Sequence, residues 1–381
     1  MYMAAVVGAG PAGISAAKRI RERGWSSILL EEHPKIGDPV ACTGLISVSG
    51  TNELGIRKEV EENIVNKIRG AKIYSPSNEM LEVKRSEAVA YVIDRGSFDM
   101  SLAESAKEAG VEIRTNTKLI DVRKETIFVE HKGRGELVKA KVVVGADGVN
   151  SKMRKILGIN TEMKNYVHAY QVVANGSFEK DFVKLYFGDF AKNFFAWVVP
   201  ENEEKARVGL ATTSGNVRRD FEMFCNLHNF SGEYCNMCSK LIYIGEPLKG
   251  IVKDNIALVG EAAGHVKATT GGGILLGIEA AQILGDTIHK HFSDKEPLAN
   301  FEQNISTLNK ELLLHWKIRQ FINNKSEEQI DDLFRKMNKA NFGEFLSKHG
   351  DMDKPSRFVS KALSNPSLWR LFPEAVKFLM T

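Results

Sequence analysis

Three short runs of consecutive apolar residues, each ending in a glycine-rich turn, dominate the hydrophobic pattern of the chain. Ala4–Val7 leads into Gly8-Ala9-Gly10-Pro11-Ala12-Gly13 and then a helical stretch through Arg23. Val142–Val144 leads into Gly145-Ala146-Asp147-Gly148. Ile256–Val259 leads into Gly260-Glu261-Ala262-Ala263-Gly264, with a helical stretch from about Gly272 to His289. A further apolar run, Ile28–Leu30, ends at Glu31. Continuous apolar strands alternating with helices predict a parallel sheet covered on both faces. The segments around 50–92 and 155–252 read differently, as alternating runs. Val183-Lys184-Leu185-Tyr186-Phe187 and Phe195-Ala196-Trp197-Val198-Val199 are examples. They predict an antiparallel sheet with one wet face. From about residue 300 the pattern is helical, punctuated by Asn, Gly and Pro, with no internal repeat or low-complexity linker.

The predicted architecture is therefore α/β. A discontinuous nucleotide-binding domain (1–50, 93–154 and 253–299) is interrupted by an antiparallel-sheet substrate domain (51–92 and 155–252), and a helical region follows (300–381). Length agrees: 381 residues correspond to two or three domains at ~150 residues each. An apolar content of 43% with a net charge of +4 excludes a disordered chain. That small surplus, without a basic stripe, argues against a nucleic-acid partner. Four cysteines are too few for a disulfide framework, so a reducing cytoplasm is expected. The N-terminus enters the glycine turn without a basic region or cleavage site, and no targeting segment is expected. No stretch reaches the ~18 apolar residues of a membrane span.

The first glycine turn carries chemistry because of its context. Gly8-x-Gly10-x-x-Gly13 follows a strand, opens a helix, and is succeeded by an acid after the second strand. Gly8 permits the tight turn, and Gly10 lets the backbone approach a pyrophosphate. Gly13, with Ala12, Ala16 and Ala17, allows close helix–sheet packing. The helix N-terminus offers unpaired N–H groups to the phosphates. Glu31, with Glu32 beside it, is placed to accept from ribose hydroxyls, which favours a cofactor without a 2′-phosphate. This is the one strand–GxGxxG–helix unit in the sequence, so no second dinucleotide domain is expected.

Further motifs make the chain resemble a family. Asp94-Arg95-x-x-Phe98-Asp99, Gly145-Ala146-Asp147-Gly148 and Gly260-Glu261-Ala262-Ala263-Gly264 recur in this order in FAD-dependent oxidoreductases of the para-hydroxybenzoate hydroxylase fold. Three additions make it similar to the geranylgeranyl reductase branch. They are Pro39-Val40-Ala41-Cys42-Thr43-Gly44-Leu45, Trp197-x-x-Pro200 with Val208-Gly209-Leu210, and His265-Val266-Lys267-Ala268-Thr269-Thr270-Gly271-Gly272-Gly273. The resemblance covers roughly residues 1–290, with a looser likeness beyond. It implies an FAD-binding Rossmann-like domain interrupted by an antiparallel β-sheet substrate domain.

The resemblance also implies an FAD-dependent reductase that saturates C=C bonds of geranylgeranyl chains in membrane lipids, such as archaeal ether lipids. Arg95, Asp147, Gly148, Gly260, Glu261 and Cys42 are then expected around the flavin. Glu261 stands where the family usually has Asp. Thr270-Gly271-Gly272-Gly273 would set backbone N–H groups at the flavin N1–O2 edge, where negative charge collects on reduction. Cys42 and His265 are the candidate catalytic residues. Thr43, Gly44, Phe195, Trp197 and Pro200 are the candidate substrate pocket, with Phe195 where a Tyr is common and Val199 where a Phe is common. Electrons would come from an external donor: ferredoxin, a deazaflavin or NAD(P)H. A flavin monooxygenase or quinone-class reductase on the same fold is the alternative enzyme, and a non-catalytic flavin-binding redox module the alternative outside catalysis.

Two features stand apart. Cys225-x-x-His228 and Cys235-x-x-Cys238 have the residue types of a tetrahedral zinc site, but the connecting loop is short, and unligated thiols are expected ahead of a bound metal or a disulfide or redox pair. Residues 301–381 hold 13 Lys/Arg against 10 Asp/Glu, and Trp369, Leu371, Phe372, Phe378 and Leu379 lie near the end. At ~1 kcal/mol per basic residue near an anionic surface, this tail is expected to help a cytoplasmic enzyme sit peripherally on the inner membrane face.

Overall fold

The structure is a computed structural model, and it describes residues 1–230 and 234–363. Trp369, Leu371, Phe372, Phe378 and Leu379 of the expected lipid-facing tail lie outside the described residues. The apolar runs form the centre of one sheet, in the order Val252–Lys253, Ile256–Leu258, Arg134–Gly145, Tyr2–Val7, Ser27–Leu30, Glu112–Arg114. The pairings from Ile256–Leu258 through Glu112–Arg114 are parallel. Ala4–Val7 and Ser27–Leu30 are buried throughout, as strands covered on both faces must be. The helix Pro11–Glu22 packs against the helices Arg95–Glu108 and Ile274–Ser293. An antiparallel ribbon, Thr117–Arg123 with Thr126–His131, contributes Leu119, Val122, Ile127 and Val129 to the same core. Each fully buried aliphatic side chain there, such as Ile14 or Ile20, contributes roughly 1.5–3 kcal/mol.

Register matters for function. Val7 lies opposite both Leu30 and Gly145, and Gly145 lies opposite Leu258. The ends of four parallel strands are therefore level. The turns that follow them open on one edge of the sheet, which is where ligands bind in folds of this type.

A second sheet has the order Tyr234–Tyr243, Tyr166–Asn175, Lys205–Thr212, Ala196–Pro200, Phe182–Tyr186, Gly70–Tyr74, Met80–Lys84. Its central strands differ from the expected half-wet pattern, since all five residues of Ala196–Pro200 are buried. One face is covered by the helix Val217–Leu227, whose Phe221 and Phe224 join Val198, Val208 and Leu210. On the other face Phe195, Trp197 and Val199 cluster with Trp316 and Met352 from the C-terminal region. A small third sheet, Leu45–Ser47, Ala90–Ile93 and Ile64–Ile68, lies between the two. The C-terminal helices Asn300–Asn304, Ser306–Asn323, Glu327–Lys339, Phe342–His349 and Ser356–Leu363 follow. Phe342–His349 lies on the edge strand Met80–Lys84, where the Lys84 N–H donates to Ser347 Oγ at 2.9 Å. No helix among the described residues is long and apolar enough to cross a membrane.

Candidate active site

At the level strand ends, two turns touch. A Cβ on Gly13 would stand 1.9 Å from the Gly8 carbonyl oxygen. Gly8 has φ +100°, and its own Cβ would stand 2.4 Å from the Ala146 oxygen. Only glycine fits either position. The 12-residue helix Pro11–Glu22 then starts at Gly10 with no side-chain cap, so its first-turn N–H groups are free for an anion. Glu31 reaches back to this turn: its Oε2 accepts from the Ala9 N–H at 2.7 Å, and its Oε1 from the His33 N–H at 2.9 Å. Glu32 is exposed beside it. Asp147 is held within its own turn. One carboxylate oxygen accepts from Ser151 Oγ at 2.5 Å, and the other from the N–H groups of Lys152 and Met153 at 2.7 and 2.9 Å. It fixes the turn by capping the short helix Lys152–Ile156. A side chain on Gly148 would come within 4.0 Å of Glu261 Oε2, which brings the second and third turns together.

The third turn continues the site. Glu261 pairs with Lys240 Nζ at 2.8 Å, and both line a cavity of about 960 Å³. Arg95 reaches this cavity with a bidentate pair to Asp99, at 3.0 and 2.9 Å. Burial works against its charge, but the Asp99 carboxylate outweighs that and holds Arg95 above its ordinary value. Cys42 lines the same cavity, and its Sγ accepts from the Gly44 N–H at 3.3 Å.

Thr270–Gly273 also line the cavity, but their donors are distributed differently from the expectation. The N–H groups of Thr270 and Gly271 both donate to the Lys267 carbonyl, at 3.1 and 2.8 Å. That of Gly272 donates to Thr270 Oγ1 at 3.3 Å. The donors left for a ligand belong to the start of the 20-residue helix Ile274–Ser293, whose N-cap Gly273 carries no side-chain cap.

His265 does not line the cavity. It is 1% exposed, and its Nδ1 accepts from the Gly260 N–H at 3.2 Å. Burial pushes its pKa down to about 4, so it is a neutral residue that fixes the third turn. The relay role expected of it would therefore have to act on the cavity from behind its wall.

The cavity wall is mainly apolar. Thr43, Phe195 and Trp197 line it, whereas Gly44 and Pro200 are buried and do not. Trp197 Nε1 donates to Gln171 Oε1 at 3.0 Å, and Gln171 Nε2 donates to the Cys42 carbonyl at 3.4 Å. Arg207 Nη1 holds the Thr43 carbonyl at 2.8 Å. The loop that carries Cys42 is thus fixed from the antiparallel sheet.

Sequence reasoning missed a second set of clamps. Lys267 Nζ pairs with Asp353 Oδ1 at 2.6 Å, both nearly buried, and Ser47 Oγ also donates to Asp353. His315 Nδ1 meets Thr269 Oγ1 at 2.6 Å, and Arg319 Nε donates to the Ala268 carbonyl at 3.0 Å. Arg319 also lies over the Phe194 ring at 4.5 Å. Burial lowers its pKa to about 9. Three C-terminal residues therefore grip the 267–270 loop. The available signal was polar residues at helical spacing, which reads equally as a solvated face.

The cysteine cluster does not assemble among the described residues. No group of three His, Cys, Asp or Glu there is arranged to hold a metal, and all four cysteines are free. His228 packs on Tyr186 at 4.5 Å between ring centroids, Cys235 is exposed, and Cys238 lines the cavity.

Two long helices starting uncapped at one sheet edge fit a diphosphate bridge. Glu31 at one end fits a ribose. Arg95, Glu261 and the Gly273 helix start at the other fit the larger, redox-active half of a flavin dinucleotide. Comparisons agree. The family described as FAD binding domain matches residues 1–229. A digeranylgeranylglycerophospholipid reductase of Methanosarcina acetivorans is 34% identical over 77% of this chain and 76% of its own length. An uncharacterised protein of Methanocaldococcus jannaschii is 29% identical over 96% of this chain and 95% of its own. The crystal structure of a geranylgeranyl bacteriochlorophyll reductase-like protein from Thermoplasma acidophilum superposes with a TM-score of 0.87, covering 100% of this chain and 98% of that one. Its 24% identity makes the likeness one of fold. By cofactor cradle, sequence and fold, the chain belongs to the geranylgeranyl reductase family of FAD-dependent oxidoreductases.

Proposed function

We propose that this protein saturates C=C bonds in the geranylgeranyl chains of membrane lipids. The observation that carries the reading is one mainly apolar cavity, lined by the candidate flavin-site residues Cys42, Arg95 and Gly272 and also by the exposed Lys348 and Lys361. At about 960 Å³ it lies at the upper end of the ~300–1,000 Å³ usual for ligand pockets. An isoprenoid chain has the shape and the apolarity for it.

Bound and reduced, FAD supplies hydride. The protein's task is to align the alkene, keep water out and deliver a proton, because an isolated alkene has no electron sink. Phe195, Trp197, Val199, Val183 and Leu185 make the dry wall. Cys42 holds a proton at Sγ on that wall and is the candidate donor to the second alkene carbon. Arg95, kept charged by Asp99, and the start of the Ile274–Ser293 helix hold the anionic parts of the cofactor. Glu261 with Lys240 is positioned to bind its hydroxyls. The electrons come from an external donor (a nicotinamide, a deazaflavin or a ferredoxin), consistent with the one dinucleotide motif in the sequence.

The test is anaerobic incubation of dithionite-reduced holoprotein with a digeranylgeranylglyceryl phospholipid, followed by mass measurement. A gain of two hydrogens for each double bond reduced is expected. An unchanged mass with an intact flavin spectrum overturns the reading.

A further inference from the structure

The cavity has a second chemical end. We propose that Arg85, Lys348 and Lys361 form an anion subsite at its outer mouth, which takes the phosphate-bearing end of the lipid while the hydrocarbon chain runs inward. This rests on the reading that the cavity takes isoprenoid chains, and adds how the substrate is oriented in it.

All three side chains line the cavity. Arg85 is fixed by neutral partners: its Nε donates to the Ser347 carbonyl at 2.7 Å and its Nη2 to the Gly350 carbonyl at 2.6 Å. Those bonds aim the guanidinium without neutralising it. Lys361 Nζ stands 3.3 Å from His349 Nδ1. Burial and the charges of Lys361, Lys348 and Arg85 together push the His349 pKa down. The three cations therefore cluster around the His349 imidazole, whose Nδ1 accepts from Lys361.

Among the described residues, none of the three has a carboxylate within ion-pair distance. Their neighbours show the contrast. Arg357 pairs with Glu53 at 3.0 Å and Asp351 at 2.8 Å, and Lys354 pairs with Glu53 at 2.5 Å. Glu87 shares the cavity wall but pairs with none of them. Positive charge is thus left uncompensated at this mouth and satisfied beside it.

The pattern along the cavity matches an amphiphile. The wall that the cations share also carries an apolar stretch, Leu346, Met352, Ile68 and Leu185, together with Cys42 and Gly272. A phosphate cannot enter that stretch without losing its hydration. It stays at the mouth, where Arg and Lys are its natural partners. The fixed end would then determine which double bonds reach Cys42. A terminal diphosphate on a free prenyl chain and the phosphodiester headgroup of a complete lipid share this chemistry.

The test is equilibrium binding to the FAD-loaded protein, read from perturbation of the flavin absorbance. The probes are geranylgeranyl diphosphate, a digeranylgeranylglyceryl phospholipid and the uncharged geranylgeraniol. At low salt a phosphorylated probe should bind at least tenfold tighter than the alcohol, and this preference should shrink as salt rises. Arg85→Gln/Lys348→Gln/Lys361→Gln should bring the ratio close to one. If the triple variant folds poorly, Lys348→Gln/Lys361→Gln changes two exposed side chains and should still reduce the ratio severalfold. Preference for the diphosphate alone identifies a free prenyl chain, for the phospholipid alone a headgroup, and for both the shared phosphate. A wild-type protein that does not separate the alcohol from either phosphorylated probe overturns the subsite, as does a variant that keeps the full ratio. Tight, charge-dependent binding without any hydrogen gain by the lipid leaves the subsite standing and removes the reductase reading.

Discussion

Cys42 is the residue on which the chemistry turns, and its surroundings give its role a sharp test. Its Sγ accepts a hydrogen bond from the Gly44 N–H and lies beside the Arg95 guanidinium on the cavity wall. Its backbone is held through Gln171, which Trp197 Nε1 orients in turn. That chain of contacts survives removal of the sulfur. Cys42→Ala is therefore expected to keep full FAD content while reduction slows by about 10²–10⁴-fold, the usual contribution of a positioned proton donor. Near-normal turnover would assign Cys42 to packing. Gly8 predicts the opposite combination. Its Cβ would meet the Ala146 oxygen at 2.4 Å, at a φ of +100°, so Gly8→Ala must separate the first two turns. Loss of FAD during purification is expected, with secondary structure retained by circular dichroism. Retention of stoichiometric FAD by this variant would show that the two turns need not touch.

At the scale of elements, the 267–273 loop is where the two halves of the chain are joined. The pair Lys267–Asp353 is nearly buried, with side-chain exposures of 8% and 6%. Removing one member leaves the other charge without a partner, which costs about 3–5 kcal/mol. Lys267→Met should fall in that range by urea denaturation, and Lys267→Met/Asp353→Leu should recover most of the loss. Equal losses in the single and double variants would mean that the pair contributes little as a pair. Asp353 adds a direction. Burial alone would raise its pKa, but Lys267 and the Ser47 hydroxyl overcome this and hold it below the ordinary value. Its stabilisation is present above the unfolded value of ~3.9 and is lost as pH falls through the lower, folded one. The three strand–turn units were legible in the sequence because their signals are local, apolar runs of three or four residues closed by glycine. The partners of the loop were not, since Asp353 lies 86 residues from Lys267 and His315 lies 46 from Thr269. Polar residues so far away read as solvated helix faces until packing brings them inward. The wet face expected of Phe195–Val199 failed for the same reason, because what covers the strand Ala196–Pro200 comes from outside the sheet. Of the donors that the resemblance implied for this loop, Thr270 and Gly271 spend theirs on the Lys267 carbonyl.

For the whole molecule, two buried histidines make folding sensitive to mild acid. His265 sits beneath the third turn of the parallel sheet, and His315 lies between the C-terminal helices and the cofactor loop. Burial lowers the pKa of each to about 4, and for His315 the Lys267 charge adds to burial. An unfolded histidine titrates near 6.5. Between pH 6.5 and 4 the unfolded chain therefore binds protons that the folded chain refuses, and stability falls as pH falls. The contribution is fully present above 6.5 and gone below about 4. At about 1.4 kcal/mol per pH unit, each histidine accounts for on the order of 3 kcal/mol across that window. His315→Gln separates this from the titration of carboxylates, because the amide can still bond Thr269 and the Asp353 carbonyl without gaining a charge. Unfolding free energies measured at pH 7 and pH 4 should fall less steeply in the variant, so the gap between variant and wild type shifts by about 3 kcal/mol in the variant's favour on acidification. Parallel pH profiles would mean that His315 takes up its proton in the folded protein without disturbing the helices that roof the cavity.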